Sequence, residues 1–179
     1  MIDTYTPDDD PTATYAAVGM ALTAWEHLEQ TFAAVYCTLK GSLADLNVMR
    51  AYMNAGPIFD TRMSVLQGAA NAYFVRKPDQ QLEGDLGALI VDARLLSKER
   101  HRIAHGVVVP RAIMWTPDGE FGSEFRLVPP WYAMEKLAKP DEFYRYGSAE
   151  IHLLAKQFLA LRERVSEFDQ RLQASPGTP

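Results

Sequence analysis

The chain has 179 residues, of which 47% are hydrophobic and 23% charged, and its formal net charge is −5. Those values fit one globular domain whose core needs no covalent staple, and they exclude a disordered polymer or a coat protein held to nucleic acid by phosphate neutralisation. Cys37 stands alone, so it leaves no internal disulfide and no cysteine-based metal cluster.

Residues 1–11 carry Asp3, Asp8, Asp9 and Asp10 with no apolar run behind them. This reads as a disordered acidic tail, the opposite of a secretory leader, so a cytoplasmic location is expected. No stretch reaches the roughly 20 apolar residues that cross a bilayer, and no membrane partner is expected. Thr12 or Thr14 then caps a helix to about Leu39 or Lys40, with Val18, Leu22, Trp25, Leu28, Phe32, Val35 and Leu39 forming one apolar stripe. Cys37 falls among Phe32, Ala33, Val35 and Leu39, which predicts a buried thiol. Gly41-Ser42 breaks the helix. A second helical region covers 45–75, interrupted at Gly56-Pro57, with Ile58, Met63, Leu66, Ala70 and Phe74 on its later face.

A third helix is expected from Pro78-Asp79 to Ala104 or His105, its seam running through Leu82, Leu86, Leu89, Ala93, Leu96 and Ile103. Gly106 follows, where a left-handed residue would close the helix. Val107-Val108-Val109 and 112–115 lead into the turn Thr116-Pro117-Asp118-Gly119, and 121–128 completes a hairpin at about 107–128. Pro110 makes its first strand short, kinked or an edge. Pro129-Pro130 opens an irregular linker to Tyr146, with one helical turn near Met134. Ser148 caps the last helix, to about Gln173, buried through Ile151, Leu154, Phe158, Leu161, Val165 and Phe168. Residues 175–179 read as a disordered tail. The fold expected over 12–174 is mainly α: a four-helix up-and-down bundle with a small β-hairpin inserted between the third and last helices.

Between Asp92 and Arg111, five cations (Arg94, Lys98, Arg100, Arg102, Arg111) stand against Asp92 and Glu99, a local charge of +3 on an acidic chain. Arg100 takes a seam position where an apolar residue would be expected, and a guanidinium cannot shed its charge on burial. Glu26 and Glu29 on helix one are candidate partners, Glu29 being nearer the centre of its stripe. His101 and His105 are four residues apart and share a helix face with Lys98 and Arg94 at the cation-favouring carboxyl end. Histidines at this spacing are a known zinc pair, but Arg102 follows His101 where a metalloprotease needs glutamate, and only His27 and His152 remain. No metal is therefore expected. There is also no recognisable nucleotide-binding loop, and no cofactor is expected.

The segment Arg100-His101-Arg102-Ile103-Ala104-His105-Gly106, at the end of a bundle helix, resembles the R-x4-6-H signature of HEPN-like proteins. His101 stands where that family carries a polar residue, and Ile103-Ala104-His105-Gly106 looks like the ending common among its bacterial members. Trp25-Glu26-His27-Leu28-Glu29 looks like its opening helix, and the likeness in layout runs from about Thr14 to Gln173. The resemblance implies an all-helical homodimer with the motif near the two-fold axis. Active members are metal-independent endoribonucleases, often toxins with an antitoxin partner or phage-defence effectors; others are non-catalytic. Carried over by position, Arg100 and His105 form the catalytic pair, with His101 in support. The hairpin departs from the minimal family pattern.

The chemistry is self-consistent. Metal-free RNA cleavage needs a base for the 2′-hydroxyl, an acid for the leaving oxygen and positive charge on the phosphate. Histidine can serve either proton role, the Arg100 fork matches phosphate oxygens, and a dimer would supply two such pairs. Arg102 and Glu29 would support the pair, while Arg94 and Lys98 could bind phosphate. The alternative is a non-catalytic dimeric interaction protein, in which Arg100 pairs with Glu29 and His105 closes the helix. Trp131, Tyr132, Phe143, Tyr144 and Tyr146, interleaved with Lys136, Lys139 and Arg145, either stack on bases or cover the open end of the bundle.

Overall fold

The computed structural model describes residues 10–43, 45–113, 122–134 and 144–175. Helices α1 (Pro11–Leu39), α2 (Leu46–Met53), α3 (Phe59–Arg76) and α4 (Gln80–His105) precede strands β1 (Val107–Ile113) and β2 (Gly122–Val128). One turn of helix, α5 (Trp131–Met134), and the last helix, α6 (Ser148–Ala174), follow. The chain is mainly helical, with a two-stranded antiparallel hairpin after α4. The acidic tail through Asp9, the turn at 116–119, Phe121, Lys136, Lys139, Phe143 and the last four residues lie outside the described residues.

Helix ends follow local chemistry, in two places by a different residue than expected. Asp10, rather than Thr12 or Thr14, caps α1: its Oδ1 accepts from the Thr12 backbone N–H at 2.9 Å and from the Thr12 hydroxyl at 2.7 Å. Pro11 then fits the first helical position, where its missing donor costs nothing. Thr14 is buried, and its hydroxyl donates to the Phe125 carbonyl at 3.4 Å. Similarly, Ser148 is already helical; Gly147 precedes it, and Glu150 reaches back to accept from the Gly147 N–H at 2.5 Å. Asp79 opens α4 by accepting from the Leu82 N–H at 3.0 Å. Gly41, at φ +68°, ends α1 in the left-handed conformation, where the sequence reading placed a helix break.

The chain divides into two compact units, which α1, α4 and α6 each pass through. The helical unit holds Trp25–Lys98 and Gln157–Pro179, the hairpin unit Met1–Ala24 and Glu99–Lys156.

In the helical unit, Trp25, Leu28, Phe32, Leu66, Leu86, Phe158 and Phe168 are buried. Trp25 of α1 meets Phe158 of α6 edge-on at 5.2 Å, and Thr38 donates to Asp169 at 2.7 Å, so these helices run in the same direction. Asp85 and Asp92 of α4 pair with Arg171 and Arg164 of α6, each at 2.8 Å, in reversed order. Those two helices are therefore antiparallel. Arg94 of α4 bonds Asp60 of α3 at 2.7 Å, and the short Lys77-Pro78-Asp79 link makes that pair antiparallel too. Thus α1, α3 and α6 point one way and α4 the other, which corrects the alternating up-and-down order. The physical cause is the excursion through α2. Trp25 meets Phe59 at 4.9 Å, so the chain returns from Leu39 over about 20 Å of helix length before α3 begins.

In the hairpin unit, β1 and β2 pair from Val107 with Val128 to Ile113 with Gly122. The outer edge of β2 is taken by Tyr146, which exchanges backbone bonds of 2.8 and 2.9 Å with Leu127. Leu127 thus turns its own N–H and C=O away from β1. By alternation Phe125 does the same, and its partner Pro110 sits at a register position that asks no ladder bond of it. Ala17, Ala21, Ile103, Leu127 and Ile151 are buried in this unit.

Candidate functional site at the carboxyl end of α4

The last turns of α4 are tied down by the segment that follows the hairpin. Glu99 and Arg102, one turn apart, form an ion pair of 2.7 Å. The Tyr146 hydroxyl donates to the other Glu99 oxygen at 2.5 Å and accepts from Arg102 at 3.3 Å. The Tyr144 hydroxyl donates to the Arg102 carbonyl at 3.0 Å, satisfying one of the acceptors a helix end leaves open. The Arg102 guanidinium also lies 5.7 Å from the Tyr144 ring centre, and the two tyrosine rings stack at 5.2 Å. Burial, followed by the bond to Glu99, pushes the Tyr146 phenol up to about 12.

Gly106 serves this junction by its size. Among the described glycines only Gly41 has a positive φ, so the left-handed closure expected at Gly106 is not what the backbone adopts. A Cβ there would stand 2.7 Å from Leu127 Cγ and 2.9 Å from the Arg102 carbonyl oxygen. The glycine lets β2 approach the helix end.

Beside this tie, His101 and His105 are both exposed, with ring centres 4.4 Å apart and planes tilted by 51°. Partial desolvation, then the neighbouring His105 and Arg100, lower the His101 imidazole from its usual value of 6.5. It is therefore neutral at neutral pH. Arg100 is half-buried, with its Nε shut off from solvent. The hairpin unit thus brings together Arg100, His101, Arg102 and His105, with two open proton-transfer groups next to a cation.

The other expected site residues lie in the helical unit. Sequence reasoning gave Glu29 to Arg100; the structure gives its two carboxylate oxygens to the Trp25 indole N–H and to Arg62, in a buried cluster. Arg62 also donates to the Gly56 carbonyl at 2.9 Å, which holds the loop before α3. Arg94 is exposed and bonds Asp60, and Lys98 is exposed.

Sequence reasoning missed the tyrosine tie and Arg62. The Glu99–Arg102 spacing was a visible clue to a pair on one helix face. Nothing local could reveal that residues 144–146 return to it. Trp131 and Tyr132 are exposed, meeting edge-on at 6.0 Å, whereas Tyr144 and Tyr146 are engaged with α4. Among the described residues no three His, Cys, Asp or Glu side chains gather as a metal site, and no helix is long and apolar enough to cross a membrane. No protein-family model, curated protein or solved structure matches the chain.

Proposed function

We propose that the protein is a metal-independent endoribonuclease of the HEPN-like kind, of toxin or defence type, cutting RNA with Arg100 and His105 and with His101 in support. One observation carries this reading: two solvent-open imidazoles, 4.4 Å apart, with Arg100 close enough to bias the titration of one of them. With two adjacent imidazoles, one can take the 2′-hydroxyl proton while the other gives a proton to the departing 5′-oxygen. The 2′-oxygen attacks phosphorus and the bond to the 5′-oxygen breaks, leaving a 2′,3′-cyclic phosphate and a 5′-hydroxyl. Arg100 stabilises the charge that builds on the phosphoryl oxygens.

The contacts α1–α3, α3–α4, α4–α6 and α6–α1 within the helical unit support a four-helix bundle as the scaffold. In the hairpin unit, exposed Val107, Trp131, Tyr132 and Leu153 support a homodimer, in which a second copy covers apolar surface and completes a composite site. An antitoxin-like partner would have the same exposed side chains to cover.

A second reading, a non-catalytic dimeric interaction protein, is favoured by one fact. Arg102 of the motif is committed to Glu99 and Tyr146. Incubating chelator-treated protein with single-stranded RNA separates the two. Cleavage that falls about a hundredfold or more in His105→Ala and in Arg100→Ala is expected of the nuclease. Intact RNA with the unaltered protein, or cleavage that survives His105→Ala, overturns it and leaves the interaction protein.

A further inference from the structure

We propose that His101 and His105 also form a two-imidazole chelate for an exchangeable, borderline-soft divalent cation such as Zn2+, Ni2+ or Cu2+. The two rings project from successive turns of α4, with centres 4.4 Å apart and planes inclined by 51°. Two nitrogens bound to one such ion, each at about 2.0–2.1 Å, lie roughly 3 Å apart. Small side-chain rotations bring the imidazoles to that separation. Both residues are exposed, so nothing buried has to move and water can fill the remaining coordination positions.

The electrostatics of the helix end allow a cation there. His105 is the last residue of α4, where the unsatisfied carbonyls and the negative end of the helix dipole gather. Of the two arginines flanking His101, Arg102 has its charge offset by Glu99 at 2.7 Å, and half-buried Arg100, which acts on His101, is the charge a bound cation has to tolerate. Imidazole donors without carboxylate or thiolate select Cu2+, Ni2+ and Zn2+ and offer Mg2+ or Ca2+ nothing. This differs from a resident catalytic metal centre, which would need a third protein ligand. Among the described residues no group of three candidate ligands exists. The site is an open clip from which the ion can leave.

Occupancy has a chemical consequence. An imidazole nitrogen that holds a metal cannot accept a proton, so the bound cation would switch off RNA cleavage. That consequence, though not the site itself, rests on the nuclease reading.

The test is a calorimetric titration of the full-length protein, without any histidine tag, with Ni2+ alone. One ion per chain is expected. His101→Ala and His105→Ala should each weaken binding about a hundredfold, because removing one arm loses the effective concentration of the second. His27→Ala, at an exposed position of α1, should leave it unchanged. Because both site residues are exposed, helical circular dichroism should be the same in every variant. Affinity within about twofold of the unaltered protein in either site variant overturns the chelate, as does an unaltered protein that binds no better than the double variant. An RNA assay separates the two readings. Ni2+ binding without any cleavage retains the metal site and removes the nuclease; metal-free cleavage without Ni2+ binding overturns the metal site and retains the nuclease.

Discussion

Two carboxylate–guanidinium pairs use the same chemistry at different depths. Glu29 and Arg62, in the helical unit, are 4% and 12% exposed; Glu99 and Arg102, in the hairpin unit, are 24% and 32% exposed. The buried pair is held by named partners, although Arg62 Nε is buried without one. Trp25 donates to Glu29, Arg62 reaches the Gly56 carbonyl, and Phe59 lies against Trp25. It positions the start of α3 and offers no open atom to a substrate. The half-exposed pair also fixes a structure, the last turns of α4, yet its two tyrosines hold the helix from one side and leave His101 and His105 in solvent. Ionic chemistry in the first place serves packing; in the second it steadies a helix end whose histidines are exposed.

Breaking the buried pair should have the largest effect. Glu29→Ala strands the Arg62 charge and the Trp25 indole N–H, and a loss of about 3–5 kcal/mol in urea unfolding is expected. Gly106→Ala comes next, because its methyl group would meet a backbone carbonyl that cannot easily shift. A cost of about 1–3 kcal/mol is expected, with a smaller one for the double variant that also carries Leu127→Ala, which clears the side-chain half of the clash.

Tyr146→Phe removes one hydroxyl from the half-exposed tie and should cost about 1 kcal/mol. It also sharpens the comparison through pH. The Tyr146 phenol titrates at about 12 in the fold against an ordinary 10. A raised folded value means that its contribution is complete below 10 and disappears as pH rises towards 12. The phenylalanine variant should lack that alkaline loss, which unfolding curves across the interval would detect.

The smallest stability effect is expected at the histidines themselves. His101→Ala and His105→Ala should stay within about 0.5 kcal/mol of the unaltered protein, since both side chains are exposed. His101 has a lowered value in the fold, so its stabilising share is present above 6.5 and declines as pH falls through the folded value. His101→Ala should flatten that shallow acid slope. A large loss of stability in either variant would show that these side chains support packing, contrary to their exposure.

Much of this architecture was legible from residue spacing. The stripe from Trp25 to Leu39, the seam from Leu82 to Ala93 and the buried face from Phe158 to Phe168 each mark a helix, and each is buried. The change of period after Gly106 marked the hairpin. Direction was not legible, because spacing within a helix is the same whichever way it runs. Only the path of the chain through α2 makes α1 and α3 parallel. Caps were misassigned where two candidates stood side by side: Asp10 beside Thr12, and Gly147 with Glu150 beside Ser148. Burial removes only Thr14 from the candidates; exposed Thr12 instead donates to Asp10.

At the candidate site, the i,i+4 rule placed His101 and His105 together, and the structure has their rings adjacent. The assignment of Glu29 to Arg100 rested on proximity to a stripe; Arg62, some thirty residues further on, was invisible to that logic. The same limit hid Tyr144 and Tyr146, whose hydroxyls meet α4 only after the hairpin and linker have doubled back.

The most direct measurement is the fate of a matched pair of labelled single strands, one RNA and one of all-deoxy sugars, incubated with the chelator-treated protein. Under the proposed nuclease reading, RNA fragments ending in a 2′,3′-cyclic phosphate and an untouched deoxy strand are expected. Cutting of both strands, or of neither, would contradict it.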